Sequence, residues 1–304
     1  MRILLTGATG FLGRHLTRGL VAAGHEVVAL VRNAERGQAL ASLADQIQVL
    51  TLDRHDPRQV CAQEPNLDTV IHAATHYGRG ADRRDVLEVN VALPLALIDG
   101  LQERGGGTFI NTDTCFNKHP GSYRYLAAYT TSKQHLLEWL RLAADGGDLA
   151  IANLRLEHPY GPGDAQTKMV TAMIRRCLDR EEVIALTPGE QQRDFIYIDD
   201  VVRAYLTVLD HGLPRPGELV EYQVGRGETA SIRELMAIIV ELCGAPTRLD
   251  FGALPYRDNE IMRSVADLRA LRALGFDARV ALREGLARTI AAAREVMAAE
   301  AASG

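Results

Sequence analysis

Lysine is scarce in this chain. Of 34 basic residues in 304, three are lysine (Lys118, Lys133 and Lys168), so arginine serves almost wherever a cation is used. A surface lysine is ordinarily just solvated, but one kept among so many arginines also marks where a compact ammonium has a use that a planar fork does not. Cysteines are few as well. Cys61, Cys115, Cys177 and Cys243 lie far apart with no CxxC pair, which excludes a disulfide or zinc framework and reads as reduced packing thiols in a cytoplasmic chain with no metal site. Aromatics make up 5% of the chain, too few for stacking platforms on single strands. An excess of positive charge is also lacking. The net charge is −5, which excludes sequence-blind nucleic-acid binding through a basic face. No stretch approaches the roughly 18 apolar residues of a membrane span. The opening Met1–Thr6 run meets Gly7 too early for a secretory signal.

What is present is alternation. Short apolar runs of strand length occur at Arg2–Thr6, Glu26–Val31, Ile47–Leu52, Thr69–Ala73, Thr108–Thr112 and Leu149–Leu154. Helical spacing separates most of them, notably over Phe11–Ala23, Val86–Arg104 and Tyr125–Ala144. That order predicts an α/β fold with a doubly wound parallel sheet covered on both faces. After Pro159 the pattern is more broken, with loop-forming Gly161-Pro162-Gly163-Asp164 and Leu213-Pro214-Arg215-Pro216-Gly217. The expected organisation is a Rossmann domain over 1–159, rejoined near 194–210, and a smaller substrate lobe over 160–304. The Ala-rich C-terminal helix should fray over Ala301–Gly304.

Gly7-Ala8-Thr9-Gly10-Phe11-Leu12-Gly13 falls between the first strand and the first helix. Glycines there allow a tight turn, close backbone approach to a pyrophosphate and close helix–strand packing, while the helix N-terminus offers free N–H groups. A site for NAD usually carries an acidic residue about 20 residues later to hold the ribose 2′-hydroxyl. Here the second strand ends Leu30-Val31-Arg32-Asn33, with Arg36 nearby. A guanidinium grips a 2′-phosphate that a carboxylate would repel, so NADPH is expected over NADH. Asp53 reads either as an adenine contact or as a loop cap.

Tyr129 and Lys133 stand at i, i+4 in a helical segment and share one face. A phenol near pKa 10 needs help to transfer protons near neutrality, and an adjacent ammonium is expected to lower its pKa. Thr112-Asp113-Thr114 follows the Thr108–Ile110 strand and offers hydroxyls to hold a carbonyl or alkoxide oxygen. If the strand continues, either threonine serves equally.

These residues resemble the extended short-chain dehydrogenase/reductases, in the nucleotide-sugar epimerase/dehydratase/reductase branch. The resemblance runs over nearly the whole chain. It is carried by the Gly7–Gly13 loop, His72-Ala73-Ala74, Asn90, Tyr129 with Lys133, Tyr160-Gly161-Pro162-Gly163, Arg193–Asp200 and Tyr222–Gly225. Thr75–Arg79, Asn111–Thr114, Leu156–Tyr160 and Leu186–Gly189 are similar to a narrower subgroup, the CDP-abequose/CDP-paratose synthases. Asn117 departs from it, replacing the glycine of a usual Tyr-Gly pair, and His158 stands where many relatives carry asparagine.

The resemblance implies NADPH-dependent reduction of the C4 keto group of a nucleotide-linked 4-keto-6-deoxyhexose. The alternative is a 4-epimerase or 4,6-dehydratase that retains NAD. Tyr129 becomes the general acid/base, Lys133 its partner on the nicotinamide ribose, and Thr114 the catalytic hydroxyl, with Thr112 the other register. Cofactor contacts are implied at Gly7, Thr9, Gly10, Phe11, Leu12 and Gly13, at Arg32, Asp53 and Arg54, at Ala73, Ala74, Thr75 and Asn90, and at Pro159. Substrate contacts are implied at His76, Tyr77 and Arg79, at Thr114 and Cys115, and at His158, Lys168, Arg193 and Arg257. A homodimer through the Val86–Arg104 and Tyr125–Ala144 helices is the corresponding expectation.

Overall fold

The structure, a computed structural model, describes residues 1–80, 82–118 and 126–303. Its central sheet contains β1 (Arg2–Thr6), β2 (Glu26–Val31), β3 (Ile47–Thr51), β4 (Thr69–His72), β5 (Gly107–Thr114) and β6 (Leu149–Leu156) in the order β3-β2-β1-β4-β5-β6. All five of those pairings are parallel, and the Leu219–Val224 strand extends the sheet beyond β6. This is the doubly wound arrangement expected of the sequence. Continuous apolar runs form its strands because both faces are buried: every residue of β4 and all but the first of β1 and β2 are out of solvent. One face builds a core from Leu4, Val28, Val70, Phe109 and Ile151 with Leu97, Leu101, Leu136 and Leu140.

The strand order reverses between β1 and β4, so the loops after those two strands diverge at the carboxyl edge of the sheet. Ligands of such sheets bind there. The helix α1 (Phe11–Ala22) follows β1 directly.

The chain divides into two compact units. The first is Met1–Leu156 with Val202–Gln223 and Arg269–Phe276, and the second is Glu157–Val201 with Val224–Leu268 and Asp277–Gly304. The return to the first unit, expected near 194–210, runs over Val202–Gln223 and carries most of the Leu219–Val224 strand that lies beside β6. Within the second unit, His158–Tyr160 pairs in parallel with Phe195–Tyr197, and Gln192–Arg193 lies between Ala230–Ser231 and Arg263–Ser264. Asp194 ties that unit's loops together, accepting from the backbone N–H groups of Arg226, Gly227 and Ala266 at 2.7, 2.9 and 3.1 Å.

Three local expectations change. β5 runs on to Thr114 rather than ending at Thr112. The helical run over Val86–Arg104 is broken by a π turn at Glu88–Ala92, between helices Arg83–Leu87 and Leu93–Glu103. The C-terminal helix keeps its form to Ser303, with Gly304 outside the described residues. Tyr125, the expected start of the next long helix, also lies outside them; that helix is described over Ala127–Asp145. Among the described residues, no helix is long and apolar enough to cross a membrane, and the four cysteines are free thiols.

Candidate active site

The glycine loop fits a dinucleotide's pyrophosphate. Gly7 has φ +72°, and a Cβ there would lie 2.5 Å from the Ala74 nitrogen; at Gly13 it would lie 1.9 Å from the Gly7 carbonyl oxygen. Both positions are closed to any side chain, so backbone alone faces the crevice. Gly10 begins α1 without a side-chain cap, and no acidic residue stands in the first turn. The N–H groups there are left for an anion. Thr9, Phe11 and Leu12 are half-buried around this turn, and Ala73, Ala74 and Thr75 line the neighbouring loop after β4. Arg32 follows the last residue of β2 and is exposed, as are Asp53 and Arg54 beyond β3.

Tyr129 and Lys133 lie on the buried face of the Ala127–Asp145 helix with Ser132, Leu136 and Leu140. The structure separates the two threonines. Thr112 Oγ1 is 2.7 Å from the hydroxyl of buried Tyr205, whereas Thr114 hydrogen-bonds the Tyr129 phenol. The Thr112 backbone carbonyl accepts from Lys133 Nζ at 2.8 Å. Tyr77 packs on Tyr129 with ring centroids 5.0 Å apart.

The electrostatics overturn one expectation. Burial pushes the Tyr129 phenol well above its ordinary pKa, Tyr77 adds to this, and the Thr114 hydrogen bond only partly offsets it. Lys133 is itself drawn down to about 8 by burial. The phenol at this site is thus a firmly protonated donor, not one acidified by its lysine. Desolvation of both groups outweighs their proximity along the helix.

Asn90, in the π turn, is fully buried and clamps two segments. Its Oδ1 accepts from the His76 N–H at 2.8 Å, and its Nδ2 donates to the His76 carbonyl and to Ser132 Oγ, both at 2.9 Å. Ser132 Oγ in turn donates to the Tyr129 carbonyl at 2.8 Å. The extra residue of a π turn aims one side chain inward, and such turns often occur at functional sites. Replacing Asn90 with alanine should lower unfolding free energy in urea by roughly 2–4 kcal/mol, three bonds at about 1 kcal/mol each plus unsatisfied partners. A loss below about 1 kcal/mol would show that the clamp carries little.

The remaining predicted residues are distributed as follows. His76 is half-buried, Tyr77 and Arg79 are exposed, and Cys115 is buried after Thr114. In the second unit, Pro159 is half-buried in its strand, and His158 Nδ1 lies 3.6 Å from Glu157 with its ring edge-on to Phe195. Arg193 is buried and bonded to Glu260 at 2.5 Å and to the Gln192 carbonyl at 3.0 Å, so its guanidinium is already engaged by a carboxylate. Lys168 precedes the helix Met169–Leu178 without a side-chain cap, and Arg257 is exposed in a turn.

Sequence reasoning missed a buried polar group beneath the site. Asp113 accepts from Asn117, Asn153 and Arg155 at 2.6, 3.1 and 3.2 Å. The available signal was alternation: Asn111 and Asp113 on β5 pair in register with Asn153 and Arg155 on β6, polar residues two apart in strands otherwise apolar.

Comparison with known proteins agrees with this architecture. The model of a family described as NAD dependent epimerase/dehydratase matches residues 3–225. The chain is 34% identical to a CDP-abequose synthase of Salmonella typhimurium, over 93% of this chain and 95% of that one. It is 28% identical to a dTDP-4-dehydro-6-deoxy-D-allose reductase of Streptomyces bikiniensis, covering 81% and 82% of the two chains. Among solved structures, MoeE5 in complex with UDP-glucuronic acid and NAD superposes with a TM-score of 0.81 at 26% identity, over 97% of this chain and all of that one.

Proposed function

The chain belongs to the NAD dependent epimerase/dehydratase family, enzymes of the extended short-chain dehydrogenase type that use nicotinamide coenzymes, and on that premise we propose that it reduces the C4 keto group of a nucleotide-linked 4-keto-6-deoxyhexose with NADPH. The observation that carries the reading is the Tyr129 phenol, buried, protonated and hydrogen-bonded to Thr114, with Lys133 one helical turn away. Reduction of a ketone requires a proton donor at the carbonyl oxygen, and this pair supplies one.

A reduced nicotinamide, when bound, supplies the hydride. Thr114 and Tyr129 hold the carbonyl oxygen, and Tyr129 gives it the proton as the alkoxide forms, so the carbonyl gains one hydride and one proton. Lys133 supports that transfer through its charge and a ribose contact. The Gly7–Gly13 loop and the start of α1 hold the pyrophosphate, while the burial of Tyr129 beneath the Tyr77 ring keeps water from the phenol.

A dehydratase needs an acid free to act on the sugar. Dehydratases commonly carry Asp-Glu after the catalytic threonine, whereas Thr114 is followed here by Cys115 and Phe116, and the preceding Asp113 is buried against Asn117, Asn153 and Arg155, which supports the reductase reading. The test is to incubate the protein with NADPH and a panel of 4-keto-6-deoxy sugar nucleotides while following absorbance at 340 nm. Steady oxidation of NADPH is expected; turnover without net oxidation would replace this reading with an isomerase.

Coenzyme choice rests on Arg32 at the tip of β2, where no carboxylate competes for an added phosphate. Arg32→Ala should raise KM for NADPH by about 10–100-fold, the value of one or two charge-assisted hydrogen bonds, and leave that for NADH nearly unchanged. Equal effects on the two coenzymes would remove the 2′-phosphate from the reading.

A further inference from the structure

A buried carboxylate costs folding free energy that its hydrogen bonds only partly return, so Asp113 raises the question of what its charge does nearby. It is 3% exposed and sits in β5 between the two threonines of the site. Asn117, Asn153 and Arg155 orient it, Arg155 is paired in turn with Glu221, and Asn111 donates to Asn153 at 2.8 Å. The chain's buried lysine meets the same peptide unit, since Lys133 Nζ donates at 2.8 Å to the Thr112 carbonyl, one bond from the Asp113 nitrogen. We infer that Asp113 is the buried counter-charge that keeps Lys133 an ammonium, a positioning residue that acts on the reaction through Lys133 without touching substrate. The inference rests on the reading of Tyr129 and Lys133 as the reacting pair.

The other groups facing Lys133 do not offer this. From β4, His72 is neutral: its Nδ1 is 2.9 Å from Thr6 Oγ1, and burial together with the Lys133 charge holds it well below its usual pKa. From β6, Arg155 is a cation turned toward Asp113. Tyr129, on the same helix, keeps its proton, and Cys115 at the end of β5 is a buried thiol. Lys118 in the turn after β5 is half-buried, and Arg83, Arg84, Asp85 and Glu88 on the packed helical run are exposed. Among the described residues packed there, Asp113 is the buried negative group. Burial pulls Lys133 down to about 8, and Asp113 opposes that fall. An ammonium at neutral pH is what the site requires, since a neutral amine neither stabilises charge at the phenol nor donates three hydrogen bonds.

Three lysines make the test direct. In protein labelled with lysine carrying 13C at the ε carbon, three resonances titrate, and Lys133→Arg identifies the one that matters. The wild-type Lys133 midpoint is expected at about 8. Asp113→Asn should lower it by about one unit or more, a tenfold fall in the ratio of ammonium to amine at a given pH, with Lys118 and Lys168 unmoved. Asparagine at 113 sets an amide among donors, so Asp113→Ser is made beside it, and thermal unfolding identifies which variants are folded. A folded variant with an unchanged midpoint overturns the inference, as does a wild-type midpoint below about 7.

Activity provides the second reading. Because the ammonium is lost as pH rises, kcat/KM for the coenzyme should fall above pH about 8 in the wild type, and the fall should begin correspondingly lower in the folded variant. If the resonance moves and this limb does not, the Asp113–Lys133 coupling stands and Lys133 loses its part in turnover.

Discussion

Tyr129→Phe is expected to lower kcat by about 10²–10⁴-fold, the range that a positioned general acid contributes. The substitution removes one oxygen and little else. The ring stays packed on Tyr77, and the helix keeps its Ser132–Asn90 tie, so melting temperature and KM should hardly change. What is lost is the proton donor and its hydrogen bond to Thr114. Loss in kcat with KM preserved marks an interaction made in the transition state. The assay is NADPH oxidation at saturating keto-sugar nucleotide. A variant within about threefold of wild-type kcat would take Tyr129 out of the chemistry.

Gly13→Ala is expected to have the other large effect, on coenzyme binding. The added Cβ would lie 1.9 Å from the Gly7 carbonyl oxygen and 2.7 Å from the Ala8 Cα, all backbone and none of it able to rotate away. The start of α1 must then move off the loop, which displaces the N–H groups meant for the pyrophosphate. Affinity for NADPH should fall by about 100-fold or more, and overpacking should cost roughly 1–3 kcal/mol of stability. Fluorescence titration with NADPH measures the first and urea unfolding the second. Near-native affinity would mean that the loop does not hold the pyrophosphate. Gly24, by contrast, has open space around its Cβ position, so its requirement is conformational alone.

Part of the site was legible because it is local. The spacing of Tyr129 and Lys133 is one helical turn, and periodicity alone places both on one face. The glycines of the first loop are likewise a local demand, since tight turns and close backbone approach leave few other residues to choose. The scarcity of lysine also pointed to Lys133, the one of the three buried in the core. Sequence reasoning reached neither the proton state of the phenol nor the choice between Thr112 and Thr114. The first depends on how much water the packed sheet and helices remove. The second depends on β5 running two residues further than its apolar pattern suggests, which gives Thr112 to Tyr205 and Thr114 to Tyr129.

The fold class and the placing of Tyr129 and Lys133 on one helix face were therefore written in the chain itself, in hydrophobic alternation and a helical repeat, each settled by neighbours within a few residues. Tertiary structure decided everything that depends on partners far apart in sequence. Asp113 meets Arg155 only because β5 and β6 align in one register, and Arg193 meets Glu260 across 67 residues. Charge and protonation follow from such meetings and from burial, and neither is a property of any segment read alone.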